Sequence, residues 1–226
     1  MDDLTEALHM NNRGVKLLIN GDDRAAVSVL GESLSVVKKF LALNGDRPSV
    51  RDRDGPCCLG WLSSFPTVVP LPNWRRSPEQ NFICDNVVIF NTDAPWQEEE
   101  GMIQLYTACI ILNLGITFHR RGVLDGNPQC MEKAEHFYGM ICKLLQGISL
   151  HDSATAMFLM LASTNNLSQI HYVQNRLEQA WQGLEHLSTL VYTAEYASCL
   201  LFNEHEWDGL VRNLSLLRAP FAAAAA

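Results

Sequence analysis

The sequence predicts an all-α chain of three antiparallel helix hairpins and a closing helix, interrupted by one irregular stretch. Three observations lead there. Apolar residues recur at three- and four-residue spacing along successive long segments. Glycine, asparagine or aspartate separates those segments in pairs, so that neighbouring helices must fold back on each other. A short triplet also recurs, as Asn12-Arg13-Gly14, Asn113-Leu114-Gly115 and Asn166-Leu167-Ser168. Three positions after each lies a larger residue, Leu17, Phe118 or His171.

The first helix is expected from about Leu4 to Asn20, with Ala7, Met10, Gly14, Leu17 and Leu18 in helical period. Asp2, Asp3 and Glu6 suit the positive end of its dipole. Gly21 ends it, because glycine accepts the left-handed backbone that closes many helices. Asp22 or Asp23 caps the second helix, whose stripe is Ala26, Val27, Leu30, Leu34, Val37 and Leu41. Asn44-Gly45 ends that one.

From about 44 to 97 the pattern breaks. The stretch from Asn44 to Glu100 holds seven of the nine prolines and three of the five tryptophans, Trp61, Trp74 and Trp96. Helices do not survive that proline density. Phe82 to Phe90 contains the β-prone run Val87-Val88-Ile89-Phe90, so one or two short strands, as a hairpin lying on the helices, are expected. The tryptophans imply that the stretch packs against the helices or a partner.

The third helix is expected from about Gln97 to Arg121, closed by Gly122. Glu98, Glu99 and Glu100 suit the dipole of its first turn. Asn127 as cap with Pro128 at the first position starts the fourth, which stops at Gly147. The fifth starts near Asp152 or Ser153 and turns at Asn175, since asparagine tolerates positive φ. The sixth carries Leu177, Ala180, Trp181, Leu184 and Leu187 towards Cys199. A last helical piece spans about Glu204 to Leu217, and Phe221 with the alanines after it is low in complexity.

The net charge of −8 argues against a general phosphate-binding surface, and no nucleic-acid partner is expected. No secretory or transit signal is read in the first residues, and no membrane span is expected because no run of 18 residues is wholly apolar. The seven cysteines show no C-x-x-C spacing, so the simpler reading is a reducing compartment, cytoplasmic or nuclear. The glycosylation triplets at Asn166 and Asn213 fall inside helical patterns and read as chance matches.

Aligned, the hairpins place Gly14, Gly115 and Ser168 where paired helices approach. Gly21, Gly122 and Asn175 fall at the turns, Ala26, Ala134 and Ala180 take the small position of the second helix, and Leu30, Tyr138 and Leu184 the large one after it. The turn of the second hairpin carries seven additional residues. This pattern resembles the tetratricopeptide repeat (TPR), whose first helix reads N-L-G-x-x-[Y/F]. The match is good for residues 112–118 and weakest in the third hairpin, and none of the hairpins has the family's tryptophan: Met10, Ile111 and Thr164 stand there. The resemblance covers hairpins at about 4–43, 98–146 and 153–192. It implies one domain over 1–226: a right-handed superhelix with an insertion at about 44–97, a C-terminal capping helix at about 203–217 and a low-complexity tail at 219–226.

The resemblance also implies a concave groove for a protein or peptide partner. By position its lining would include Asn11, Asn113, His119, Asn165, Gln169 and Tyr172, with Val15, Leu18, Leu112 and Ile116 beside them. Asn113 and Asn166 fall on positions that clamp a chaperone tail in some family members, but Asn11 and Ala162 stand where the clamp has lysines. Histidines lack H-x-x-x-H and H-E-x-x-H spacing, and no phosphate-cradling glycine loop or nucleophile motif is present. No catalytic residue, metal or cofactor is therefore expected. The reading is a non-catalytic interaction scaffold or adaptor. The alternatives are a structural subunit docked through the 44–97 insertion, with Trp61, Trp74 and Trp96 as contacts, and an enzymatic or metal-binding helical protein.

Overall fold

The computed structural model describes residues 3–44, 66–72, 82–92, 100–150, 153–197 and 201–224. Trp61, Trp74, Trp96 and the Cys57-Cys58 pair lie outside them. The elements in order are α1 (Asp3–Ile19), α2 (Asp23–Asn44), β1 (Thr67–Pro70), β2 (Asn86–Ile89), α3 (Glu100–Asp125), α4 (Pro128–Leu144), α5 (Ala154–Val173), α6 (Leu177–Ala197) and α7 (Glu204–Ala224). The described chain is thus helical apart from two short antiparallel strands. Each helix packs against the next, and α1, α3, α5 and α7 also touch in sequence. That arrangement is compatible with a helical repeat.

The close approaches fall at the small residues of the triplets. A Cβ on Gly14 would lie 2.6 Å from Leu30 Cγ, and one on Gly115 would lie 2.9 Å from the Tyr138 ring. In the third hairpin the roles reverse: Ser168 meets Gly183, where an added Cβ would be 2.2 Å from the serine Oγ. The turns are closed by Gly21, Gly126, Gly147 and Asn175, all at positive φ. Asn127 and Ser153 cap α4 and α5 through their side chains.

Two expected boundaries are corrected, and the first is that α7 runs on to Ala224, past the expected end near Leu217. Gly122 does not end the third helix; α3 runs on to Asp125 and turns at Gly126, φ +61°. Gly122 instead marks a second close approach, to α4: a Cβ there would sit 2.4 Å from Met131 Sδ and 3.2 Å from its backbone N. Glycine costs about 1 kcal/mol in a helix interior, but no other residue fits this gap.

The inner helices are buried nearly all round. Leu105–Arg120 of α3 and Thr155–Asn166 of α5 are continuously buried. They are covered by their hairpin partners and by each other, α3 also by α1, α2 and β2 and α5 also by α4 and α7. Gly101–Asp125 is long and apolar enough to cross a membrane by length and composition, but 89% of its apolar 18-residue window is buried inside the protein. Arg120, also buried, donates to the Leu18 carbonyl at 3.3 Å and faces the Asp23 carboxylate at 3.4 Å, tying the end of α3 to the α1–α2 turn.

β1 and β2 pair antiparallel, from Thr67 opposite Ile89 to Pro70 opposite Asn86, and Leu71 N–H continues the ladder to Asp85 O at 3.3 Å. The expected hairpin on the helices is present in this form. β2 lies beneath: Val87 and Val88 are fully buried, whereas Thr67 and Pro70 of β1 are exposed. Proline suits such an edge, since its missing N–H would point outward.

Candidate functional site: an asparagine ladder around an extended strand

In an extended chain successive residues turn their N–H and C=O groups to opposite edges. From Phe82 to Phe90, the odd-numbered residues turn theirs to β1. The even-numbered ones turn theirs to the helices, which meet them with amides. Asn12 of α1 accepts from Phe90 N–H at 2.8 Å and donates to Phe90 O at 2.7 Å. Asn113 of α3 does the same for Val88, at 2.8 and 2.9 Å. Asn166 of α5 holds Cys84 at 2.8 Å through both bonds. Asn213 of α7 holds Phe82 at 2.9 and 2.6 Å. A primary amide has one acceptor and one donor side, so each asparagine completes both backbone groups of one residue.

A second pair of amides locks this ladder. Asn11 donates to Val88 O at 3.0 Å and accepts from Asn113 at 2.8 Å. Asn165 donates to Phe82 O at 3.1 Å and accepts from Asn213 at 2.7 Å. Asn11 thereby couples α1 to α3, and Asn165 couples α5 to α7. The spacing fits the helices: eight residues at about 3.3 Å each, over three helix-to-helix steps, give about 9 Å per step. The strand runs from α7 to α1, against the order of the helices.

Side chains of the strand fill the space between. Phe82, Cys84, Asn86, Val88 and Phe90 are all buried. Gly209 makes room for Phe82, since a Cβ there would fall 2.5 Å from its ring. Phe90 meets Tyr106 edge to face at 5.5 Å. Behind Asn166, Tyr138 Oη receives its amide at 3.1 Å and lies 3.3 Å from His119 Nδ1. Burial lowers the His119 pKa to about 3, keeping the ring neutral. Burial likewise pushes the Tyr138 phenol well up, with the Asn166 bond opposing. These groups offer hydrogen bonds and apolar contact.

Of the residues expected to line a groove, Asn11, Asn113 and Asn165 come together on the strand. They are buried beneath the chain's own residues 82–90 and present no free amide to solvent. His119 is buried against Tyr138 of α4 instead. Gln169 is buried with no partner for its Nε2 among the described residues, and Tyr172 is half-buried against the core. Sequence reading left Asn12, Asn166 and Asn213 out of the site, and it missed the strand as occupant. A signal existed: Asn213-Leu214-Ser215 is a fourth copy of the recurring triplet, 47 residues after Asn166, read only as a glycosylation match.

Elsewhere, a cleft of about 440 Å³ is lined by Glu132, Glu135, His136, Lys143 and His171 among others, and by none of the asparagines. There Arg176 forms a two-bond ion pair with Glu135, which holds that carboxyl below its usual range. Among the described residues no three His, Cys, Asp or Glu side chains converge as metal ligands. No protein-family model matches the chain, and neither a curated protein nor a solved structure matches it.

Proposed function

We propose that this chain is a non-catalytic protein-interaction scaffold of TPR-like repeats whose amide-lined groove takes an extended protein segment by its backbone. The observation that carries this is the ladder: four alternate helices, α1, α3, α5 and α7, each devote one asparagine to both polar groups of one strand residue. Asparagine is scarce in cores because an unpaired buried amide is penalised. Its recurrence at one position of four inner helices suits a surface built to meet peptide backbone, as in strand addition to a sheet edge. Free thiols at Cys84, Cys109, Cys130 and Cys142 fit a reducing compartment. Affinity purification with mass spectrometry tests the reading. A partner captured by the native chain should be lost with Asn12→Ala or Asn213→Ala at the two ends of the ladder. Capture unchanged in both variants would sink it.

One observation favours a second reading, docking through the 44–97 stretch. The ladder amides are engaged by residues 82–90, so a partner meeting the molecule as it stands meets other surfaces first. Deleting residues 47–64 while keeping β1 and β2 should then abolish capture with the helices intact. Undiminished capture would count against it.

A further inference from the structure

We infer that residues 82–90 are an imperfect occupant of the groove, weakened at Asn86. We further infer that the ligand in trans is an extended segment of the same pattern with an apolar residue at that place. This rests on the reading of the groove as a backbone-binding site.

The ladder spaces its amides at residues 82, 84, 88 and 90 and skips 86. At that gap the strand carries Asn86, whose side chain is 1% exposed. Among the described residues neither its Oδ1 nor its Nδ2 has a hydrogen-bond partner. The neighbours on the same face are apolar or small: Phe82, Cys84, Val88 and Phe90, all buried. An amide in this position loses its water and gains nothing. A valine would lose nothing polar and would suit the strand better. Asn86 also sits opposite Pro70, where β1 ends, so the mismatch lies next to the last paired residue of the outer strand.

The magnitudes make exchange feasible. A tethered segment acts at an effective concentration of about millimolar. A ligand with the same contacts would therefore compete only near that concentration. Relieving two unpaired buried amide groups shifts the balance by on the order of a hundredfold. Half-displacement then falls near 10 μM, within the range of regulated interactions. The ligand is an extended segment with aromatic residues at its first and ninth positions, small or β-branched residues at the third and seventh, and an apolar residue at the fifth. It enters with its N-terminal end at α7.

The test uses the full chain and two fluorescein-labelled peptides of the sequence of residues 81–92, one native and one with valine for Asn86. Polarisation should show the valine peptide binding the native chain near 10 μM and the native peptide about a hundredfold more weakly. The full-length variant Asn86→Val should be more resistant to urea than the native chain and should bind the valine peptide at least tenfold more weakly than the native chain does. Equal binding of the two peptides, or a variant less stable than the native chain, would overturn the inference. A third chain, Val88→Pro, removes the N–H that Asn113 receives and undocks the strand. If the valine peptide binds this chain and not the native one, displacement is wrong while the groove reading stands. If it binds neither, both fall. Should Val88→Pro fail to fold, the stability and exchange arms of Asn86→Val still decide the inference.

Discussion

A single amide at Asn113 makes three bonds, two to Val88 and one to Asn11. Asn113→Ala leaves the Val88 N–H and the Asn11 Oδ1 buried without this partner. Each such group costs roughly 1–3 kcal/mol, so the variant should be about 2–4 kcal/mol less stable by urea unfolding. A loss under about 0.5 kcal/mol would mean that the ladder is not dry. His119 behaves differently, because it is held neutral. Its folded pKa, about 3, lies below the unfolded value of 6.5. The unfolded chain takes the proton first, so this contribution is fully present above pH 6.5 and is lost as pH falls towards 3. Between pH 7.5 and 5 the loss is on the order of 2 kcal/mol. His119→Gln should flatten the stability profile in that window; an unchanged slope would assign the acid sensitivity elsewhere.

At the scale of the element, contact between paired helices is set by glycines that leave no room. Gly115→Ala drives a methyl into the Tyr138 ring, and Gly14→Ala drives one into Leu30. Each should destabilise by about 1–3 kcal/mol through overpacking. Gly31, within α2, has nothing within 4 Å of an added Cβ. Gly31→Ala should stabilise by about 0.5–1 kcal/mol, because alanine favours the helix and restricts the unfolded chain. Thermal melts of the three variants give the comparison, and a loss of stability in Gly31→Ala would show that helix propensity does not govern that site. The same logic explains α3 and α5. An element covered on every side can be apolar on every side, and some of the polar residues it keeps are held by partners on other elements. In α3 and α5 these include Asn113, Asn165 and Asn166.

For the whole molecule, residues 82–90 join the two halves of the helical array. Asn12 and Asn113 hold one end while Asn166 and Asn213 hold the other. Burying Phe82, Val87, Val88 and Phe90 is worth roughly 1.5–3 kcal/mol per side chain, which together rivals the usual stability of a domain. Replacing residues 82–90 with a Gly/Ser segment of equal length should leave much of the helical circular dichroism. It should also lower the melting temperature by more than about 10 °C and broaden the transition. A sharp transition near the native temperature would show that the helices stand without the strand. For the same reason, any segment that took the place of residues 82–90 would have to replace these contacts as it arrived.

Much of this was legible in the order of residues, because helix signals are local. The 3.6 period, the caps at Asn127 and Ser153, and the turns at Gly21 and Asn175 need only neighbours within one turn. The Gly14–Leu30 and Gly115–Tyr138 contacts needed only hairpin geometry, so they could be placed as well. Gly122 could not, since a helix-ending glycine and a close-packing glycine look alike until the facing residue, Met131, is known. The sequence shows asparagine recurring and puts Asn11, Asn113 and Asn165 on the inner face, but not Asn12 or Asn213. What they face depends on residues 25 to 131 positions away, and no periodicity reports a pairing at that range. The order of residues sets the helices, their pairing and the recurrence of asparagine in them; which asparagines form the ladder, and that they hold the chain's own strand, comes from the three-dimensional fold, because that pairing is made by backbone groups, which every residue carries alike.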